Sequence, residues 1–196
     1  FYLLDLRKDN VADSYGVCNI YYASQHGNGF DEPAPSVWHC RNLKTKPYHD
    51  RDKWCDLLEA RVKDIYEDYK LAQNYAIQNP ASAIGVDTGR WENVFITNTR
   101  GRDNMKLSTD CQNTFDIIAD FPLCRNFGFV FFSITWPGTH IKSHSGGSNL
   151  RLRYHLPIDV MEADQNMIRV AHEKRHWYEG QVLIFDDSYN HEVWNT

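Results

Sequence analysis

The sequence predicts one mostly β domain in which an amphipathic helix packs outside a two-sheet β core. At 196 residues with 42% hydrophobic content, the chain can fill one core and is too short for two independent domains. Apolar residues follow a helical period over residues 50–75, whereas short strand-like runs dominate residues 90–196. A helix packed on layered strands is the architecture that these pieces allow.

The helix is predicted over residues 50–75. Apolar side chains recur there every three or four residues with charged residues between them, so that one stripe can pack on a core. The stripe consists of Trp54, Leu58, Val62, Ile65, Tyr69 and Ala72.

The β core is predicted from five short apolar or alternating runs bounded by turn-forming residues. They are residues 92–98, 127–136, 149–158, 166–172 and 180–186. In the run LRLRYHLPI the alternation is clean, because side chains of a strand point to opposite faces in turn. Arg151, Arg153 and His155 therefore share one face of this strand, and the Leu and Tyr residues share the other.

Residues 1–45 are predicted to be irregular in structure and to lie over the rest of the domain. They are rich in aromatic residues, are interrupted by Gly and Pro, and show no clear period. The stretch SQHGNGFDEPAPS, residues 24–36, is typical of a loop.

Composition argues against a nucleic-acid partner and against a membrane span. The formal net charge is −5, and the 21 basic residues are spread through the chain instead of forming a patch. The longest apolar run, FGFVFFSITW at residues 127–136, is shorter than the ~20 residues that cross a bilayer. We expect no membrane contact by this domain, while an anchor or signal upstream of Phe1 stays possible.

The five cysteines contain no CxxC pair, which argues against a thiolate zinc site. Cys111 and Cys124 enclose the short loop CQNTFDIIADFPLC, and a disulfide between them would suit an oxidising compartment. Two reduced, buried thiols fit the same spacing equally well.

His144 and His191 are the candidate metal ligands. Both lie where a predicted strand meets a polar loop, a position that often carries functional groups. Fe(II) in oxygen-using enzymes is commonly held by two imidazoles and one carboxylate, yet the position two residues after His144 is Gly146. Each histidine taken alone is well explained as a structural residue whose imidazole makes an ordinary hydrogen bond. The occurrence of both at strand ends favours a metal site.

The cationic face of Arg151 and Arg153 indicates an anionic ligand if that face points into the core. An unpaired buried charge is costly, and guanidinium groups match carboxylates through two parallel N–H donors. A solvent-facing strand paired with the acidic residues of 159–164 explains the same pattern equally well.

Two segments resemble the catalytic domain of the aspartyl/asparaginyl β-hydroxylase family. They are SITWPGTHIKSHSGGSNLRLRYHLPI and HWYEGQVLIFDDSYNHEVWN, which contain the family's PGTH, HxGxxNxRxRxH and FDDSxxHEVW patterns. The resemblance is specific across residues 127–195 and weaker in KPYHD and GRWENVF, and residues 1–45 do not share it.

The resemblance implies an Fe(II)- and 2-oxoglutarate-dependent dioxygenase with a cupin-like double-stranded β-helix, or jelly roll. Its reaction would hydroxylate the β-carbon of Asp or Asn residues in a protein or peptide. The family holds iron with two histidines and has glycine in place of the carboxylate, which makes His144 and His191 the ligands and explains Gly146. Positions that match the family's cosubstrate contacts assign 2-oxoglutarate to Trp91, Ser133, Arg153 and His155, and Tyr154, which lies between the last two, is included with them. Arg151 would contact the substrate carboxylate, and Asp187 would support an imidazole by accepting its second N–H.

The family's fold continues beyond the HEVW segment into a strand with a further arginine, so that the β core of residues 90–196 lacks its last strand. Two other interpretations remain: a catalytically silent member that binds a partner, and a cupin-like zinc protein or hydrolase.

Animal members act in the endoplasmic reticulum and bacterial relatives in the cytoplasm. The cysteine-bearing N-terminal segment favours the lumen of the secretory pathway.

Overall fold

The computed structural model describes residues 2–7, 20–22, 27–40, 43–78, 85–97, 102–124, 128–161 and 163–196, the first two ranges as backbone only. The helices are α1 (Lys53–Glu59), α2 (Val62–Ala72) and α3 (Gln112–Ala119). The first strands are β1 (Tyr2–Arg7), β2 (Ile20–Tyr22), β3 (Trp38–Cys40), β4 (Tyr48–His49), β5 (Ile77–Gln78), β6 (Val86–Thr88) and β7 (Trp91–Thr97). The others are β8 (Val130–Thr135), β9 (Thr139–His144), β10 (Arg151–Leu156), β11 (Asn166–Val170), β12 (Glu173–His176), β13 (Leu183–Phe185) and β14 (His191–Asn195).

Two antiparallel sheets form the body of the protein, which confirms the mostly β prediction. The large sheet has the order β4-β13-β10-β1-β8-β7-β5, and the small sheet has the order β12-β11-β14-β9-β6. One buried cluster contains side chains of both sheets, including Trp91, Phe185, Ile141, Ile168 and Val193. The two sheets therefore share a core, and the site described below lies between them.

The three helices cover the other face of the large sheet. Phe132 of β8 and Leu156 of β10 are fully buried in a cluster with Leu58 and Ile65 of the helices. Alternation along each strand decides which side chains reach which side, because successive residues point to opposite faces. The same strands thus supply the helical core and the site.

The helical region differs in two ways from the prediction. Residues 50–75 form two helices, α1 and α2, instead of one, although the predicted stripe is buried at Leu58, Ile65 and Ala72. The segment between Cys111 and Cys124 contains helix α3, and the two cysteines are buried without a disulfide between them, which is the second of the two alternatives considered for this pair. No helix in the described ranges is long and apolar enough to cross a membrane.

The prediction of an irregular N-terminal segment is also wrong in part. Strand β1 lies inside the large sheet, where it pairs with β10 on one side and with β8 on the other. Strands β2 and β3 form a separate two-stranded sheet. A six-residue run such as YLLDLR has no period that distinguishes it from a loop or a helical turn, and its two partner strands lie more than a hundred residues away along the chain.

A buried carboxylate joins α2 to α3. Asp68 is 3% exposed and accepts hydrogen bonds from Thr114 N at 2.6 Å and from Asn113 Nδ2 at 2.9 Å. We expect Asp68→Ala to lower the free energy of unfolding by about 1 to 3 kcal/mol, because two donors lose their buried acceptor. Chemical denaturation measures this loss, and Glu67→Ala is the control because Glu67 makes only an exposed ion pair with Lys70. Equal stability of the two variants would contradict the expectation.

Candidate active site

A cavity of about 590 Å³ lies between the sheets. Its walls come from β7, β8, β10 and β13 of the large sheet and from β9, β11 and β14 of the small sheet. Nearly all the residues that the sequence assigned to a site line this cavity, namely Trp91, Ser133, His144, Gly146, Arg153, His155, Asp187 and His191. Arg151 and Tyr154 do not.

The two candidate metal ligands are direct neighbours across the small sheet. His144 at the end of β9 is the register partner of His191 at the start of β14, and their ring centroids are 4.1 Å apart. His144 Nδ1 lies 2.7 Å from Lys142 O, and His191 Nδ1 lies 3.0 Å from Tyr189 O. Because a carbonyl oxygen only accepts, each Nδ1 carries the hydrogen and each Nε2 keeps its lone pair.

Burial keeps these imidazoles neutral. It lowers the pKa of His191 to about 3, with a further contribution from the neighbouring His144, and it lowers the pKa of His144 from its ordinary value. Neutral imidazole is the form that binds metal ions. Each Nε2 atom therefore keeps at neutral pH the lone pair that metal binding requires.

Asp187 lies beside the histidines and is fully buried. Its Oδ2 accepts from Arg151 Nη2 at 2.7 Å and from Arg153 Nε at 2.7 Å. Burial alone would raise the pKa of Asp187, but the two guanidinium groups outweigh it and hold the pKa far below its usual range. The group of two arginines and one carboxylate carries a net charge of +1, which suits an anionic ligand.

Gly146 is required by Asp187. A Cβ atom built on Gly146 would overlap the Asp187 carboxylate and lie 2.7 Å from its Oδ1 atom. In addition, Gly146 N donates to Asp187 O at 2.6 Å, which brings the two backbones together. The space that a metal-binding side chain at position 146 would need is thus filled by the carboxylate of another loop.

Among the residues that the structure describes, the two histidines have no third protein ligand in a metal-binding arrangement. Within the described residues, no group of three or more His, Cys, Asp and Glu side chains is arranged to hold a metal ion. A structural zinc site normally needs four protein ligands, so this donor set does not fit one. It fits a cation that keeps open positions for other ligands.

Comparison with known proteins shows the family of this chain. The family model described as aspartyl/asparaginyl β-hydroxylase matches residues 57–196. The chain belongs to the aspartyl/asparaginyl β-hydroxylase family.

Relatives within and around this family differ in the substrates that their names state. The human aspartyl/asparaginyl β-hydroxylase is 35% identical over 171 residues, which are 81% of this chain and 22% of that protein. An ornithine lipid ester-linked acyl 2-hydroxylase of Rhizobium tropici is 37% identical over 122 residues, 61% of this chain and 41% of that protein. Human aspartate β-hydroxylase domain-containing protein 2 is 27% identical over 171 residues, 82% of this chain and 46% of that protein. The chain thus spans less than half the length of each of these relatives.

Three residues that the family resemblance assigns to 2-oxoglutarate lie on the large-sheet wall of the cavity. Trp91 Nε1 donates to Ser133 Oγ at 2.7 Å, which fixes the indole of β7 against β8. His155 of β10 is buried between Trp177 and Phe185, with ring centroids at 5.9 and 4.6 Å. Burial lowers the pKa of His155 well below its ordinary value, so this imidazole is neutral.

Tyr154, which the resemblance also assigned to the cosubstrate, lies on the wrong side of the sheet. It is 3% exposed in the helical core, and its hydroxyl donates to Asp52 Oδ2 at 2.6 Å. The reason is the alternation of β10, which turns Tyr154 away from the cavity as it turns Arg153 and His155 toward it. Tyr154 supports the start of α1, where Asp52 also accepts from Trp54 N at 3.0 Å.

Two further assignments from the sequence are corrected by the contacts. Arg151 is 4% exposed and contacts Asp187 instead of lining the cavity, so it is not placed to meet a substrate carboxylate. The imidazole N–H groups that Asp187 was predicted to accept are bound by backbone carbonyls. The neighbouring Asp186 accepts from Ser188 N at 3.0 Å and so caps the adjacent turn.

The cavity has lining residues that the sequence did not indicate. Asn93 and Phe95 follow Trp91 at alternate positions of β7, and Phe129 and Phe131 precede Ser133 in the same way. Period two along these strands could have predicted all four once Trp91 and Ser133 were assigned. Asn93 is 3% exposed and its Oδ1 atom has no hydrogen-bond partner in the described part of the chain.

Proposed function

We propose that this chain is an Fe(II)- and 2-oxoglutarate-dependent dioxygenase domain, with a double-stranded β-helix fold, that hydroxylates the β-carbon of Asp or Asn residues in a protein or peptide. The observation that carries the proposal is the His144 and His191 pair, whose Nδ1 atoms are both bound by backbone carbonyls. A backbone carbonyl that accepts from Nδ1–H fixes the tautomer and the ring orientation of a metal-binding histidine, and it leaves Nε2 to bind the metal ion. Bound Fe(II), with 2-oxoglutarate and dioxygen, supplies the oxidation of an unactivated C–H bond and leaves succinate and carbon dioxide.

The other residues of the cavity are suited to hold a dicarboxylate beside the metal. Arg153 lines the cavity and brings a guanidinium group, whose parallel N–H donors match a carboxylate. His155 of β10 and Ser133 of β8 lie on either side of β1, and both line the cavity and add polar groups to a largely aromatic wall. Asp187 keeps Arg153 and Arg151 in place, which spares the ligand the cost of ordering them.

The substrate class is proposed from the human relative, whose name states aspartyl and asparaginyl residues. The net positive charge of the Arg151, Arg153 and Asp187 group favours acidic ligands near the cavity, which include the cosubstrate as well as an aspartyl side chain. The Rhizobium tropici relative is named for an acyl chain, so that an acyl lipid is the matched comparison substrate.

The test is a turnover assay with Fe(II), 2-oxoglutarate and peptides that differ only in one Asp, Asn or Ala. We expect a mass gain of one oxygen atom on the Asp or Asn peptide, with succinate formed in equal amount and no gain on the Ala peptide. Oxidation of an acyl lipid in place of the peptides would overturn the substrate class. Failure to bind either iron or 2-oxoglutarate would favour a catalytically silent, partner-binding protein instead.

Substitution of the two arginines of β10 should have different effects on the kinetics and on the stability of the protein. We expect Arg153→Gln to raise the KM for 2-oxoglutarate by about 10- to 150-fold, because a charge-assisted hydrogen bond contributes about 1.5 to 3 kcal/mol. Arg151→Gln should mainly lower the unfolding temperature, because Arg151 pairs with Asp187 and does not line the cavity. A larger change in KM for Arg151→Gln than for Arg153→Gln would contradict this assignment.

A further inference from the structure

Residues 27–40, here called the covering segment, lie against both loops that carry the proposed metal ligands. The first ligand loop, residues 145–149, follows His144, and the second ligand loop, residues 186–190, precedes His191. Backbone hydrogen bonds join the covering segment to each loop. These hydrogen bonds hold residues 27–40 in place although the segment contains little regular secondary structure.

The first ligand loop meets the covering segment as a short parallel bridge. Ser36 N donates to Gly146 O at 2.9 Å, and Trp38 N donates to Gly147 O at 2.8 Å. Trp38 is also the parallel bridge partner of Ser148. The segment therefore runs alongside the loop from Gly146 onward.

The second ligand loop is bound by the preceding part of the same segment. Ala34 N donates to Ser188 O at 2.8 Å, and Asn190 N donates to Gly29 O at 2.7 Å. The approach is close, because a Cβ on Gly29, whose φ is +78°, would lie 2.9 Å from Asn190 Cβ. One continuous segment thus spans the two loops whose ends carry His144 and His191.

Asn149 fastens this arrangement with its side chain. Its Oδ1 accepts from Cys40 N at 2.9 Å, and its Nδ2 donates to Cys40 O at 2.9 Å. Asn149 is fully buried, so neither bond competes with water. The carboxamide thus pairs with both the N–H and the C=O of Cys40, as a residue of a neighbouring strand would. Asn149 lies at the end of the first ligand loop, in the stretch HSGGSNLRLRYH that begins with His144.

We propose that Asn149 is a positioning residue for the metal centre, which it serves by holding the covering segment against both ligand loops. The inference rests on the metal-binding part of the proposed function. Two ligands on separate strands bind one ion only if their spacing is fixed, and here the loops next to the ligands are joined by the same segment. The Asn149 side chain lies outside the cavity lining, so its effect on a metal would pass through the backbone.

The test compares Mn(II) affinity in Asn149→Ala with that in Asp68→Ala, both titrated without cosubstrate at a temperature where each is folded. Both substitutions remove a buried side chain that makes two hydrogen bonds, but Asp68 lies on the helical side of the large sheet. We expect Asn149→Ala to weaken Mn(II) binding by about 10- to 100-fold, the range typical for partners that orient metal ligands. Asp68→Ala should leave the affinity unchanged.

A second measurement uses the unaltered protein and needs no folded variant. Coupling between sites is reciprocal, so Mn(II) should slow hydrogen exchange at the amides of Ala34, Ser36 and Trp38 if the covering segment positions the ligands. Amides of α3, which the metal does not touch, provide the internal reference.

The two measurements distinguish a failure of the positioning role of Asn149 from a failure of the proposed metal centre. Wild-type protein that binds Mn(II), together with an Asn149→Ala affinity equal to that of Asp68→Ala, would overturn the positioning role alone. Unchanged exchange at the three amides on Mn(II) binding would do the same. Wild-type protein that binds no Mn(II) and no Fe(II) would overturn the metal centre itself.

Discussion

Replacement of either His144 or His191 by alanine is expected to abolish metal binding and turnover. The described residues offer no third protein ligand, so each variant would hold the ion by a single imidazole. We expect the affinity for Fe(II) or Mn(II) to fall by more than about 100-fold, beyond the effect of losing a partner that only orients a ligand. Anaerobic titration measures the affinity, and succinate release measures turnover.

His140→Gln is the matched control for these variants. His140 lies on the same strand as His144 but contacts Glu192 through Nε2 at 2.8 Å and stacks on Trp194 with ring centroids at 5.4 Å. It does not line the cavity, so its replacement should leave metal affinity unchanged. Retention of full metal affinity in His144→Ala would refute the proposed site.

Within β10, the period of the strand predicted which side chains face the cavity better than the family motif did. Alternation in LRLRYHLPI places Arg153 and His155 on one face and Tyr154 on the other, and the structure confirms this division. The motif match added Tyr154 to the cosubstrate residues because it is next to matched positions in sequence. Neighbours in a strand point to opposite faces, so closeness along the chain is a poor guide to a shared site.

Other parts of the site depend on contacts that no local pattern encodes. Asp187 meets Arg151 and Gly146 because the β9–β10 and β13–β14 connections, each of which joins the two sheets, lie against each other. Strand β1 obtains its place from hydrogen bonds to β8 and β10, which its own six residues cannot specify. Five of the eight strands that the structure describes in residues 90–196 were therefore predictable from the sequence, whereas β9, β12, β14, helix α3 and the pairing of the strands were not.

The position of Gly146 yields the second prediction with a large effect. Gly146→Asp would add the carboxylate that two-histidine iron sites commonly have, yet we expect it to destabilise the protein. The new Cβ would displace the carboxylate of Asp187 from Arg151 and Arg153. Breaking a buried ion pair typically costs about 3 to 5 kcal/mol, which chemical denaturation would detect as a lower free energy of unfolding.

Gly147→Ala is the control, because a Cβ there would meet only Val37, at an ordinary contact distance of 3.6 Å. It should keep the stability of the wild type. The double variant Gly146→Asp, Asp187→Ala should recover part of the loss, since the new carboxylate then has room beside the two guanidinium groups. If Gly146→Asp alone were as stable as Gly147→Ala, Asp187 could move at little cost. The glycine would then reflect the open coordination position of the metal and not the space that Asp187 needs.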